Sequence, residues 1–76
     1  MKVKRGIYKH YKGILVKVIG IAIHSETLEE MVVYKKLEDF GRFKKGSIWV
    51  RPLKMFAETV EKDGKKIPRF EFIKEK

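Results

Sequence analysis

His24-Ser25-Glu26-Thr27 is the densest group of reactive side chains in this chain. A histidine beside a carboxylate can be tuned to exchange protons near neutral pH, so His24 and Glu26 are candidate catalytic groups, with Arg51 as an anion-holding partner. The competing reading makes His24 a core histidine bonded to backbone, with Ser25 and Thr27 shaping a turn. His10, His24 and Glu26 together have the composition of a two-histidine, one-carboxylate metal site, but no spacing here matches a metal-binding signature, and no metal or cofactor is assigned. A hydrolytic Ser25-His24-Glu26 triad lacks the glycine pattern that exposes a nucleophile.

Two other groups pair aromatic rings with cations. Trp49 and Arg51 are two residues apart, so on a strand they share a face and offer a stacking platform or a clamp for phosphate or carboxylate. Alternatively, Trp49 is a core residue and Arg51 pairs with Glu26 or Glu58. Tyr8, His10, Tyr11 and Lys12 interleave aromatic and basic groups in the manner of single-strand nucleic-acid binders. Arg42, Lys44 and Lys45 add a basic run between Gly41 and Gly46. The alternative is one core tyrosine and a solvated lysine face.

The charge balance favours such partners. The chain has 76 residues and a net charge of +9, from 19 basic and 10 acidic side chains. Residues 1–25 hold six basic groups and no acid, residues 26–39 five acids against two lysines, and residues 40–57 five basic groups and no acid. A surplus of that size attracts polyanions, RNA or single-stranded DNA above all, although it also suits a merely soluble surface. Cysteine is absent, which excludes disulfides and thiolate metal sites and fits a reducing cytoplasm. No run is long enough to cross a bilayer as a helix, so no membrane partner is expected.

The scaffold for these groups reads as one all-β domain over residues 1–76. Leu15 to His24 is nearly unbroken in apolar and β-branched residues and is the central strand. Gly20 near its middle marks a bulge or bend, and Gly20→Val is expected to destabilise strongly. Alternation along the strand points Val16, Val18, Ala22 and His24 inward and Lys17 outward, so His24 is expected to be buried. Residues 1–5 form a basic tail with little reason to be ordered. Gly6 to Tyr11 is a first strand, with Tyr8 and His10 on one side. Thr27-Leu28-Glu29-Glu30 is either a helical turn or a solvated loop tip. Met31 to Leu37 pairs antiparallel with the central strand, with Val32 and Tyr34 sharing a face. Ile48 to Arg51 is a short strand, and Pro52 opens a helical turn carrying Leu53, Phe56 and Ala57. Asp63-Gly64 joins Glu58–Lys62 to Lys65–Ile73 as a hairpin, in which Phe70 and Phe72 close the core. Five or six short strands with one helical turn make a small bent barrel of the SH3-like or OB-like kind.

The blocks Gly6-Ile-Tyr8-Lys-His10-Tyr11-Lys12-Gly13, His24-Ser25-Glu26-Thr27, Val33-Tyr34, Trp49-Val50-Arg51-Pro52 with Met55-Phe56, Asp63-Gly64 and Pro68-Arg69-Phe70 follow in order. In that order and spacing the chain resembles a small bacterial family catalogued as domain of unknown function number 1653, from Gly6 to about Ile73. The Glu38 to Gly46 loop departs from the family in being longer and more basic. The resemblance implies no activity.

Three functions follow as expectations. The first is a non-catalytic module that binds RNA or single-stranded DNA through Tyr8, His10, Tyr11, Lys12, Arg42, Lys44, Lys45 and Arg51. The second is a pocket protein or small enzyme acting on an anionic metabolite through His24, Glu26 and Arg51. The third is an adaptor that binds a protein at a barrel edge. Convergence of the polar residues in a concave pocket favours the second, a flat basic face the first, and a bare apolar edge the third.

Overall fold

The computed structural model describes residues 3–75. In chain order its elements are β1 (Gly6–His10), β2 (Leu15–Ile23), β3 (Glu30–Lys36), β4 (Ile48–Pro52), α1 (Leu53–Phe56), β5 (Thr59–Lys62), β6 (Lys65–Pro68) and β7 (Phe70–Lys74). Five strands form one antiparallel sheet in the order β4-β3-β2-β1-β7, and β5 and β6 form a separate hairpin. The all-β class is as expected, but the sheet does not close into a barrel, because β4 and β7 remain its two ends. The reason lies at Arg69. There the long C-terminal strand splits in two: β6 stays with β5, and β7 leaves to pair with β1. The hairpin turn itself is as its residues require. Asp63 and Gly64 both have positive φ, at 52° and 77°, and Lys62 faces Lys65 across it.

The central strand is β2, the longest at nine residues, paired antiparallel with β3. The break near Gly20 is a β-bulge: Val18 faces Tyr34 and Gly20 faces Val33, leaving Ile19 as the extra residue. One added residue inverts the alternation beyond it. Val16 and Val18 are buried as expected; beyond the bulge Ile21 takes the place opposite buried Val32 yet is 42% exposed, and Ala22 and His24 are exposed as well. The expectation of a buried His24 fails, because the end of β2 runs past the core and both of its faces are exposed there. The expectation for Gly20 changes too. Its φ lies outside the left-handed region, and a Cβ added there meets nothing within 4 Å.

The core collects Tyr8, Val16, Val18, Val32, Tyr34, Leu53, Phe56 and Phe70 on one face of the sheet. Leu53 and Phe56, three apart on α1, project to the same side and cap it. Phe56 is 2% exposed and stacks flat on Phe70, with ring centroids 4.1 Å apart at 5°. It also meets Tyr8 edge-on at 5.3 Å and Tyr34 at 5.8 Å. Phe72, expected to share core duty with Phe70, is 36% exposed. The described part of the basic tail is tied down, since Val3 packs on the core and the Lys4 carbonyl accepts the Tyr8 hydroxyl at 2.8 Å. Residues 1 and 2 of that tail lie outside the described residues. Among the described residues no helix is long and apolar enough to cross a membrane.

Candidate functional site

Beyond the buried core, the same face of the sheet continues into polar residues. Register decides which ones. Lys36 lies opposite Val16, Arg51 opposite Val32, Trp49 opposite Tyr34, and His10 opposite Phe70, so all four side chains emerge on the core side. They line one cleft of about 230 Å³, together with Lys12, Ile14, Tyr34, Phe40 and Phe70. The lining holds four basic or imidazole side chains and no carboxylate.

Arg51 is half-buried, with its guanidinium carbon 5.6 Å from the centre of the Phe70 ring. Its Nε is buried and has no hydrogen-bond acceptor. Neither Glu26 nor Glu58 answers it. Among the described residues the one ion pair joins Glu58 to Arg69, at 2.7 Å. Lys36 extends over two aromatic faces, its Nζ 4.5 Å from the centre of Phe40 and 4.9 Å from that of Trp49. Trp49 is held in place by its Nε1–H, which donates to Ser47 Oγ at 2.7 Å.

His10 lies between Tyr11 and Phe70, with ring centroids at 4.6 and 4.9 Å. Its Nδ1 accepts the Lys12 backbone N–H at 3.1 Å, which leaves the proton of the neutral ring on Nε2. Burial first, and then the cations Arg51, Lys36, Arg69 and Lys12, push the imidazole below its ordinary range. Burial and then Arg51 push the Lys36 amine down likewise. Both shifts have the same two causes, burial first and then neighbouring cations in a lining without a carboxylate.

The aromatic wall comes from the basic loop. Phe40 and Phe43 exchange backbone hydrogen bonds at 2.7 and 2.8 Å across a tight Gly41-Arg42 turn. Their rings meet Trp49 edge-on at 6.4 and 5.0 Å. Arg42 lies over Phe43 at 5.1 Å. Lys45 anchors the loop through its backbone N–H, which donates to Asp39 Oδ1 at 2.8 Å, and the side chains of Lys44 and Lys45 are exposed.

The expected site residues therefore divide into four sets, the first being Lys44 and Lys45, which lie exposed on the loop outside the cleft. His10, Lys12 and Arg51 converge in the cleft, with Tyr11 packed on His10 and Arg42 one ring behind the wall. Tyr8 is buried, since it lies opposite Val16 and Phe72 on the core side, so its ring is unavailable for stacking on a ligand. His24 and Glu26 do not line the cleft that holds Arg51. His24 instead organises the β2–β3 turn, its Nδ1 accepting the backbone N–H groups of Glu26 at 3.1 Å and Thr27 at 3.4 Å. His10, His24 and Glu26 form no common cluster, and among the described residues no three His, Asp or Glu side chains are placed to share a metal ion. Lys36 and Phe40 are additions. Lys36 was accessible to parity, as it continues the inward series Val32, Tyr34. Nothing local in the loop marks Phe40.

No curated protein matches this chain. A crystal structure of a protein of the DUF1653 group from Bordetella bronchiseptica is 32% identical and superposes with a TM-score of 0.83, covering 97% of this chain and 91% of that one. The family described as Protein of unknown function (DUF1653) matches residues 6–72, and the chain belongs to that family.

Proposed function

We propose that this chain is a binding module for a compact organic anion, received in the cleft between His10, Lys36 and Arg51. The observation that carries the reading is Arg51, whose buried Nε lacks an acceptor in a lining without a carboxylate. Buried donors are ordinarily paired, and a guanidinium matches the two oxygens of a carboxylate or phosphate. An anionic head would take the Arg51 fork, the His10 Nε2–H and the Lys36 ammonium. A flat body would lie against Phe40 and Trp49, displacing Lys36 from their faces. The volume of about 230 Å³ is below that of drug-sized sites, which favours a small ligand. We read the scaffold as an opened variant of the SH3-like barrel, in which the missing closure leaves the cleft accessible.

The test is a nitrogen-15 NMR titration with acetate, benzoate and inorganic phosphate at constant ionic strength. Benzoate is expected to give saturable shifts at His10, Lys36 and Arg51, with a lower Kd than acetate. Arg51→Met and Lys36→Met should each weaken it on the order of tenfold. Absence of saturable shifts with any of the three anions would overturn the reading.

A second reading keeps the same cleft and makes the ligand a single-stranded RNA. Exposed Phe40 and Phe43 beside Arg42 favour it, since they extend the cationic, aromatic surface beyond the cleft. RNA affinity would then fall log-linearly with salt, at about −0.7 per phosphate contacted. Phe43→Ala would weaken binding without changing that slope.

A further inference from the structure

The opposite face of the sheet carries a second cationic site. Adjacent strand residues alternate, so Lys36 faces the cleft and Lys35 faces away. On that outer face one row crosses all five strands: Ile48, Lys35, Lys17, Ile7 and Lys74. It holds three lysines and no carboxylate. Lys17 and Lys35 are direct register partners on two interior strands, and both are half-buried. Directly opposed side chains lie about 5 Å apart at Cβ, where like charges destabilise a sheet. Elsewhere on this face the pairing is complementary, as where Lys9 meets Glu71. The other directly opposed lysines, Lys62 and Lys65, flank an exposed hairpin turn, whereas Lys17 and Lys35 are half-buried on interior strands.

Lys17 and Lys35 line a cavity of about 620 Å³, with Lys4, Arg5 and Ile19 around it and Glu75 as its one acid. The Lys4 amine is engaged over the Phe72 ring at 4.8 Å, which leaves Lys17, Lys35 and Arg5 for a ligand. Ile19, the extra residue of the bulge, contributes an apolar surface and is 41% exposed.

We infer that this cavity is a second anion site, independent of the cleft, and that it takes an organic phosphate. Three cations match a dianionic head better than a single carboxylate, and the head would relieve the Lys17–Lys35 repulsion. A bare phosphate would leave most of the cavity empty, whereas a body attached to it would lie along Ile19.

The test is a nitrogen-15 NMR titration with inorganic phosphate, phenyl phosphate and phenol, each at constant ionic strength. Phenyl phosphate is expected to give saturable shifts at Lys17, Ile19 and Lys35, with a Kd several-fold below that of inorganic phosphate, and phenol to give none. Lys17→Met and Lys35→Met should each raise the ligand-free unfolding midpoint and weaken phenyl phosphate at these residues on the order of tenfold. Arg51→Met should leave these residues' response unchanged, which separates this site from the cleft. The inference is overturned if the shifts are reproduced by chloride or never saturate, which would mean an adventitious ion only. It is also overturned if the two methionine variants bind phenyl phosphate as wild type does.

Discussion

Arg51→Met should make the ligand-free protein more stable and should gain less stability from ligand than wild type does. Methionine keeps most of the apolar stem of Arg51 and deletes the guanidinium. In the free protein the buried, unpaired Nε is a standing cost, about 1–3 kcal/mol for a donor of this kind. Against it stands the contact with Phe70 at 5.6 Å, which contributes about 0.5–1 kcal/mol. The difference leaves the variant ahead by roughly 1 kcal/mol, or about 4–8 °C in Tm for a domain of this size. Removing the cation also lets His10 and Lys36 recover towards their ordinary pKa values, since Arg51 is a named cause of both depressions. Benzoate cancels that lead. At ten times the wild-type Kd a ligand that binds only the folded state adds about 1.4 kcal/mol to wild type and, bound tenfold more weakly, about 0.4 kcal/mol to the variant, which brings the two to near parity. Urea melts followed by the fluorescence of Trp49, the single tryptophan, measure both conditions. A variant that is less stable than wild type in plain buffer, and that gains as much stability from benzoate as wild type does, would refute the argument. Arg51 would then be a structural residue with an acceptor elsewhere.

Three further outcomes follow from the same structure. The His10 imidazole should titrate below about pH 6.5, the ordinary value, and benzoate should raise its pKa; the ring-proton shift against pH measures both. Because the folded state then binds fewer protons than the unfolded one, stability falls as pH drops through about 6.5, and His10→Gln should flatten unfolding midpoints between about pH 7.5 and 5.5. Gly6→Ala should destabilise by roughly 2–3 kcal/mol in a urea melt, because its Cβ would stand 2.5 Å from the Lys74 carbonyl oxygen at φ 146°, whereas Gly20→Ala should be neutral or mildly stabilising. His24→Ala should cost on the order of 0.5–1 kcal/mol through the loosened β2–β3 turn, and leave benzoate affinity unchanged by calorimetry.

The central strand, its partner β3, the helical turn after Pro52 and the Asp63-Gly64 hairpin were all readable, because each depends on local chemistry. A β-branched run, a proline at a helix start and a turn dipeptide act within a few residues. The bulge was readable as a break at Gly20 but not as a change of phase. Unbroken alternation predicts Ala22 and His24 on the core side, whereas the extra Ile19 shifts the phase so that Ile21 lies opposite Val32. The split of the last strand at Arg69 depends on β1 offering an edge to Phe70, which is information from the other end of the chain. The cleft was half legible. His10, Lys12, Trp49 and Arg51 were marked by residue type, but two strands far apart in sequence had to be brought into register before Lys36 could join them. His24 and Glu26 drew attention by density, and density in a turn is what capping its backbone groups requires.

The pairing of β1 with β7 has a consequence for how the protein is made. Sixty positions separate His10 from Phe70, yet the two rings touch, and together they form one wall of the cleft. Closing a loop of that length costs roughly 3–4 kcal/mol in chain entropy before any contact across it is gained. The hairpins β1–β2, β2–β3 and β5–β6 close over short spans and carry no such delay. On a translating ribosome β1 therefore waits, with one backbone edge unsatisfied, until Phe70 has emerged. A nascent chain arrested before that residue can hold His10, Lys36 and Arg51 but not the aromatic floor beneath them. On the proposed reading, anion binding is therefore acquired only once β7 has paired with β1.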